Sequence, residues 1–123
     1  MLVVDDETIV RSTAVAMLKR LGFEVVLASD GLEAVEVFRA TPNRFSLVLM
    51  DLTMPRMDGK QAFHEMQGVR KDVRVVLMSG FNEQEASKHF SDHETAGFLQ
   101  KPFGFEELSS IAQRVMARAS GPA

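Results

Sequence analysis

Cysteine, tryptophan and tyrosine are all absent from this chain of 123 residues. Without cysteine, disulfides and thiolate metal sites are excluded. Long apolar runs are also missing, since the longest have about five residues and a membrane-spanning helix needs about 18. Positive charge is not in excess, because 14 Lys and Arg against 17 Asp and Glu give a formal net charge of −3. That balance argues against binding nucleic acid through bulk charge.

What remains is the composition of an ordinary globular chain, with 25% charged and 46% hydrophobic residues. Its length suits one domain, since domains most often have about 100–150 residues. Short apolar runs alternate with segments of helical period. The predicted strands cover residues 2–4, 24–28, 45–50, 73–78 and 97–100. The predicted helices lie at 8–21, between Gly31 and Pro42, at 60–67, at 82–93 and at 105–118.

This order is a βα unit repeated five times. Strands that are apolar almost throughout are typical of a parallel sheet that is covered on both faces by helices. Right-handed crossovers then give a three-layer α/β sandwich. The sequence therefore predicts a (βα)5 fold.

Polar residues follow four of the five predicted strands. Asp5 and Asp6 follow the first strand, Asp51 the third, Ser79 the fourth and Lys101 the fifth. In open α/β sheets, ligands bind beyond the carboxyl ends of the strands, and these ends share one edge. We therefore expect these side chains to lie together.

Each of these residues alone has a simpler interpretation. Asp5 and Asp6 suit a helix N-cap, Asp51 and Ser79 suit turns, and Lys101 suits a solvated surface position. Together, however, they bring three carboxylates to one place. Two such charges ~4 Å apart repel by about 4 kcal/mol at an effective dielectric constant near 20. A hard divalent cation with oxygen ligands offsets that repulsion, and Mg²⁺ fits a site with few carboxylates.

Four segments carry a resemblance that covers essentially the whole chain. They are residues 2–7 (Leu-Val-Val-Asp-Asp-Glu), 49–59 (Leu-Met-Asp-Leu-Thr-Met-Pro-Arg-Met-Asp-Gly), 78–80 (Met-Ser-Gly) and 101–103 (Lys-Pro-Phe). In this order they resemble the receiver domains of two-component response regulators. The resemblance implies a flavodoxin-like sheet of strand order 2-1-3-4-5, a receiver domain over residues 1–119 and a frayed tail over 120–123.

The resemblance also implies a metal site. Asp6, Asp51 and the backbone carbonyl of Thr53 would hold Mg²⁺ directly, and Asp5 would act through a metal-bound water. The cofactor expected from the resemblance is therefore Mg²⁺.

Asp51 would be the acceptor of a phosphoryl group that comes from a phosphohistidine. Lys101 and Ser79 would contact phosphoryl oxygens, and Gly80 would leave room beside them. The resemblance implies a cis peptide bond before Pro102; the alternative is a trans proline in the first turn of the last helix.

Two further roles follow from the resemblance. Ser79 and Phe98 would form a switch that changes the surface of the fourth helix, fifth strand and fifth helix; Phe98 stands where tyrosine is commoner, and a plain core role is the alternative. Thr53 and Phe81 would tune the lifetime of the phosphoryl group. Because phenylalanine cannot orient water by hydrogen bonding, we predict slow self-dephosphorylation and faster decay in Phe81→Glu.

The expected partners are a histidine kinase phosphodonor domain and a histidine phosphotransfer protein, with no nucleic acid and no membrane contact. The chain would be cytoplasmic, a monomer or weak dimer, and would catalyse only its own phosphorylation and dephosphorylation. Since His64, His89 and His93 lack a kinase-type setting, the phosphodonor comes from elsewhere.

The parent protein has two interpretations. Residues 79–86 and 97–102 resemble the C-terminal receivers of hybrid sensor histidine kinases more than free-standing regulators. The alternative is a stand-alone single-domain response regulator.

Two other classes fit less well. A hydrolase of the haloacid dehalogenase type needs an aspartate two residues after its nucleophile, where this chain has Thr53. A flavin-binding module needs a phosphate-binding loop after the first strand, where this chain has three acids at residues 5–7.

Overall fold

A computed structural model describes residues 1–80 and 96–120. Five strands form one parallel sheet of order β2-β1-β3-β4-β5. The strands are β1 (Leu2–Val4), β2 (Val26–Ala28), β3 (Val48–Asp51), β4 (Val75–Ser79) and β5 (Gly97–Gln100). The predicted strand order and the flavodoxin-like class are confirmed.

Four helices lie in the described ranges: α1 (Thr8–Arg20), α2 (Gly31–Ala40), α3 (Gly59–Val69) and α4 (Phe105–Ser120). The helix predicted over 82–93 falls outside the described residues. Helix α4 continues through Ser120, the first residue of the predicted tail, and the rest of that tail falls outside the described residues. No helix within 1–80 or 96–120 combines the length and apolarity needed to cross a membrane.

Two apolar clusters lie on opposite faces of the sheet, because successive side chains of a strand point to opposite sides. In β1, Leu2 and Val4 belong to one cluster and Val3 to the other. The first cluster packs under α2 and α3, and the second packs under α1 and α4. This explains why the strands are apolar almost throughout: both of their faces are buried.

Three strands begin later than predicted, among them β4, which begins at Val75 rather than residue 73. Strand β2 begins at Val26 rather than residue 24, and β3 begins at Val48 rather than residue 45. Both strands pair with β1, which has only three residues, and the pairing starts where Leu2 meets Val26 and Val48. The length of β1 therefore limits its neighbours, although Phe45 is buried all the same.

Candidate functional site

Buried polar side chains concentrate at the carboxyl ends of the strands. In the described part of the chain they are Asp5, Asp30, Asp51 and Ser79. Asp51 and Ser79 are the last residues of β3 and β4, Asp5 directly follows β1, and Asp30 lies two residues beyond β2. Since burying a polar group without partners is costly, this edge needs a specific explanation.

Asp5, Asp6 and Asp51 form one carboxylate cluster. One oxygen from each lies within 4.8 Å of the others, with Asp5 and Asp51 buried and Asp6 exposed. The predicted meeting of these residues is therefore observed in the fold.

The turn after β1 fixes the position of Asp5. Its Oδ1 accepts a hydrogen bond of 2.9 Å from the backbone N–H of Glu7, and Nη1 of Arg11 donates to its carbonyl oxygen at 2.6 Å. Helix α1 has Glu7 at its N-cap. The alternative that Asp5 and Asp6 cap this helix is therefore wrong, because Asp5 bonds the N-cap residue rather than the first turn.

Lys101 neutralises part of the cluster. Its Nζ lies 2.6 Å from Asp5 Oδ2, 3.2 Å from Asp51 Oδ2 and 3.8 Å from Glu7 Oε1. Because its side chain is only 15% exposed, the alternative of a solvated lysine is wrong. The backbone N–H of Lys101 donates to the carbonyl of Ser79 at 2.7 Å, and the peptide bond to Pro102 is cis, the isomer that the resemblance implied.

The charges at the site are not balanced. Burial raises the pKa of Asp51 to about 6, and the nearby charge of Asp5 adds to that rise. Lys101 and the backbone N–H of Thr53 oppose it. For Lys101, burial acts to lower the pKa, but the carboxylates of Asp5 and Asp51 outweigh burial and the pKa is raised. The lysine therefore stays protonated, while the Asp51 carboxyl is held in an environment that disfavours its charge.

The cluster has the donors that a hard cation requires. Asp5 Oδ2 is buried and accepts no hydrogen bond of good geometry from the described residues, although it forms the ion pair with Lys101. Carboxylate oxygens from three residues converge beside it. Mg²⁺ prefers oxygen ligands and is usually bound by only a few carboxylates. The residues of the cluster therefore fit the expected cofactor.

An open cleft of about 770 Å³ lies over the cluster. Its lining includes Asp51, Thr53 and Ser79, together with Ile9 and Phe103, which contribute apolar groups. Ile9 is 80% exposed on the first turn of α1, so the route to Asp51 passes an apolar rim.

The other predicted site residues are placed as follows. Gly80 lies on the cleft, and a Cβ built there would meet no atom of the described residues within 4 Å. Phe98 is half-buried and packs against the cluster under α2 and α3. Phe81 lies outside the described residues, so its predicted role stays a prediction.

Sequence reasoning missed several residues around the site. Glu7 had no predicted contact with Lys101, yet its Oε1 lies 3.8 Å from Nζ of that lysine. Arg11 had no predicted role, although its spacing from Asp5 along the start of a helix was visible in the sequence. Asp30 and Arg56 form an ion pair near the site; the turn before α2 was a signal for Asp30, and nothing in the sequence pointed to Arg56.

Comparison with known proteins agrees with this geometry. A family model described as the response regulator receiver domain matches residues 1–113. The receiver domain of sensor histidine kinase PA1611 from Pseudomonas aeruginosa, solved with magnesium in its active-site cleft, superposes with a TM-score of 0.85 at 29% identity, covering 94% of this chain and 95% of that one.

Two curated relatives are longer than this chain. Sensor kinase CckA of Brucella abortus is 29% identical over 117 residues, which is 95% of this chain but 12% of the relative. Transcriptional regulatory protein PdtaR of Mycobacterium tuberculosis is 31% identical over 118 residues, 95% of this chain and 56% of the relative. The chain belongs to the family of response regulator receiver domains, and it spans at most about half the length of these two relatives.

Proposed function

We propose that this domain accepts a phosphoryl group on Asp51 from the phosphohistidine of a kinase, with Mg²⁺ bound by the carboxylate cluster. The observation that carries the proposal is the convergence of Asp5, Asp6 and Asp51, with the ammonium group of Lys101 paired to Asp5 and Asp51. Asp6, Asp51 and the carbonyl of Thr53 would hold the metal, and Asp5 would act through water. When bound, the cation supplies positive charge that offsets the charge of the phosphoryl oxygens.

The transfer needs little from the protein except position and charge. A carboxylate oxygen of Asp51 attacks phosphorus in line, the P–N bond breaks, and the imidazole leaves with the bonding pair. Lys101 then exchanges part of its contact with Asp5 and Asp51 for a phosphoryl oxygen. Ser79, at the end of the neighbouring strand, donates its hydroxyl to another.

The same residues would act as the switch. A phosphorylated Asp51 carries more negative charge and more acceptor oxygens, so Ser79 moves toward it. Phe98, which pairs with Leu77 in the register of β4 and β5, then turns into the space behind β4. Because Phe98 has no hydroxyl, its readout is by packing alone.

The phosphodonor partner would bind over the cleft, where Ile9 and Phe103 offer apolar contact beside the acceptor. We further propose that the parent protein is a hybrid sensor histidine kinase, as the likeness to a sensor kinase receiver supports. The similarity to PdtaR favours the second candidate, a separate response regulator. The full reading frame around this domain distinguishes the two.

The direct test is incubation with acetyl phosphate, with and without Mg²⁺, followed by intact-protein mass spectrometry. We expect the wild type to gain one phosphoryl group only with Mg²⁺, and Asp51→Asn to gain none. Asp58→Asn is the matched control: Asp58 is an exposed N-cap of α3, and asparagine also caps helices. Equal phosphorylation of Asp51→Asn and wild type would refute the proposal.

The same experiment separates the alternatives. Steady release of phosphate over many turnovers would favour a hydrolase of small phosphate esters. A yellow chromophore that copurifies with the protein would favour a flavin-binding module.

A further inference from the structure

Arg56 and Asp30 form an ion pair beside the site that the proposed chemistry does not use. Nε and Nη2 of Arg56 lie 2.8 Å and 2.6 Å from Asp30 Oδ2. The Asp30 side chain is only 9% exposed, whereas that of Arg56 is 58% exposed. A backbone N–H from Glu33 and the Arg56 guanidinium hold the pKa of Asp30 below its usual value, despite its burial. Asp30 therefore stays ionised for Arg56.

The backbone of Arg56 adopts a conformation that arginine rarely takes. Its φ is +65°, in the left-handed region that glycine enters freely and other residues enter at a cost. The same side chain that makes this backbone unfavourable reaches Asp30 across the sheet edge. The ion pair therefore holds a strained residue in place.

Residues 52–58, the loop that contains Arg56, have little freedom at either end. A Cβ at Gly31 would overlap the carbonyl oxygen of Met57, and a Cβ at Gly59 would overlap that of Asp51. The N–H of Gly59 also donates to the carbonyl of Leu52 at 2.9 Å. The loop backbone therefore packs closely against the start of α2 at one end and against the end of β3 at the other.

This loop carries Thr53 to the carboxylate cluster. The backbone N–H of Thr53 lowers the pKa of the Asp51 carboxyl against the effect of burial. Thr53 also lines the cleft, where its carbonyl is the proposed metal ligand. Any shift of the loop therefore moves this N–H and a ligand of the cation together.

We propose that the ion pair between Arg56 and Asp30 positions Thr53, and thereby sets the affinity of the carboxylate cluster for Mg²⁺. The inference rests on the proposed function, since it assumes that this cluster binds the cation. Arg56 is a positioning residue, because it acts through the loop rather than on the metal.

The simpler alternative is that the pair only stabilises the fold, as surface ion pairs weakly do. The chain offers a matched control in Arg39 and Glu65, which pair at 2.9 Å on α2 and α3 with the arginine 56% exposed. In the described part of the chain, no hydrogen bond or ion pair joins Arg39 or Glu65 to residues 52–58 or to the carboxylate cluster. Arg39→Ala therefore removes a comparable ion pair without the proposed coupling.

The test is calorimetric titration of metal-free protein with Mg²⁺, with thermal unfolding of each variant measured alongside. The variants are Arg56→Gly, Asp30→Asn, the double variant of both, and Arg39→Ala. Glycine suits the positive φ at position 56, and asparagine keeps the oxygen that caps α2. Both changes therefore remove the ion pair with little other disturbance.

We expect Arg56→Gly and Asp30→Asn each to weaken Mg²⁺ binding roughly ten-fold, the lower end of the loss seen when groups that orient metal ligands are removed. The double variant should be no weaker than either single variant, because the two residues act as one pair. Arg39→Ala should bind within about two-fold of wild type. Equal affinity of Arg56→Gly and Arg39→Ala, or additive losses in the double variant, would overturn the inference.

A second readout needs no metal. Hydrogen exchange at the Thr53 amide should be faster in metal-free Arg56→Gly than in wild type, and unchanged in Arg39→Ala. Unchanged exchange in Arg56→Gly would count against positioning by the loop. If the wild type binds Mg²⁺ and the variants bind equally well, the proposed function stands and this inference fails; if the wild type binds none, both fail.

Discussion

Asp30 and Asp51 are the same residue type, are both buried, and lie at the same edge of the sheet, yet their environments differ. The pKa of Asp30 is lowered by the N–H of Glu33 and the charge of Arg56. The pKa of Asp51 is raised to about 6 by burial and by Asp5, although Lys101 is near. One aspartate has its charge satisfied by the fold, and the other has its charge left incompletely compensated. The second condition is typical of functional sites, where an external ligand completes the balance.

The largest expected effect is on the free energy of unfolding of the metal-free protein, which the ionised carboxylate of Asp51 should lower. Because its pKa is higher in the folded state than the ordinary 3.8, the folded protein binds this proton more tightly than the unfolded protein. Its contribution to stability therefore falls as pH rises from 3.8 to about 6 and stays low above that. In chelator at pH 7, Asp51→Asn should be more stable than wild type by about 3 kcal/mol, and urea denaturation measures this.

That advantage of Asp51→Asn should shrink as the pH is lowered from about 6 toward the ordinary pKa of 3.8, and it should vanish below that value, where wild-type Asp51 is protonated in both the folded and the unfolded state. Asp58→Asn is the control, since Asp58 is exposed and its replacement leaves the Asp51 environment intact. A stability difference between Asp51→Asn and wild type that does not change with pH would contradict the account of an under-compensated carboxyl.

A slightly smaller effect is expected from the cation itself. Mg²⁺ at 100 times its dissociation constant should stabilise the wild type by about 2.7 kcal/mol, because it binds the folded state alone. Asp51→Asn should lose most of this gain, since one of the converging carboxylates is gone. Thermal unfolding with Mg²⁺ and with NaCl of equal ionic strength measures it. If Mg²⁺ raised the unfolding temperature equally in wild type and in Asp51→Asn, the cation would not bind at Asp51.

The third effect is a loss of stability when Asp30 is replaced. Asp30→Ala removes the oxygen that accepts from the Glu33 N–H at 2.9 Å, together with the partner of Arg56. We expect a loss of about 1–2 kcal/mol at pH 7, as for other helix caps. Asp30→Asn, which keeps the cap, should lose less. Equal losses in the two variants would show that the cap contributes little.

The pH dependence at Asp30 should have the opposite sign to that at Asp51. Because its pKa is lowered in the folded state, its stabilisation is present above the ordinary value of 3.8 and is lost as pH falls through the folded pKa. The free-energy difference between wild type and Asp30→Ala should therefore narrow in acid. If the difference in free energy of unfolding between wild type and Asp30→Ala widened in acid, the claim that folding lowers the pKa of Asp30 would be wrong.

The smallest effect should come from Gly80→Ala, on the open side of the site. Within residues 1–80 and 96–120, a Cβ there meets nothing within 4 Å, so stability should change by less than about 0.5 kcal/mol. Gly31→Ala, next to Asp30, should instead cost about 1–3 kcal/mol or more, because its Cβ overlaps the Met57 carbonyl. Similar losses at both glycines, measured by urea denaturation, would contradict this difference in crowding.

The site residues could be found from sequence because parallel strands bring their carboxyl ends to one edge. Once the strands were assigned and ordered, it could be predicted that Asp5, Asp51 and Lys101 lie close together. The pair of Asp30 and Arg56 joins residues 26 positions apart and depends on a loop with a positive φ, which no periodicity signals. The first residues of β2 and β3 could not be predicted from the sequence pattern either, because they depend on pairing with β1, which has only three residues.

The sheet divides the interior into two separate apolar compartments, one under α2 and α3 and one under α1 and α4. Neighbouring positions such as Val3 and Val4 therefore belong to different halves. Substitutions can therefore be designed for one half at a time, because side chains of the two halves point to opposite faces of the sheet. The sheet edge that carries Asp5 and Asp51, where both halves end, can be kept constant while either interior is rebuilt.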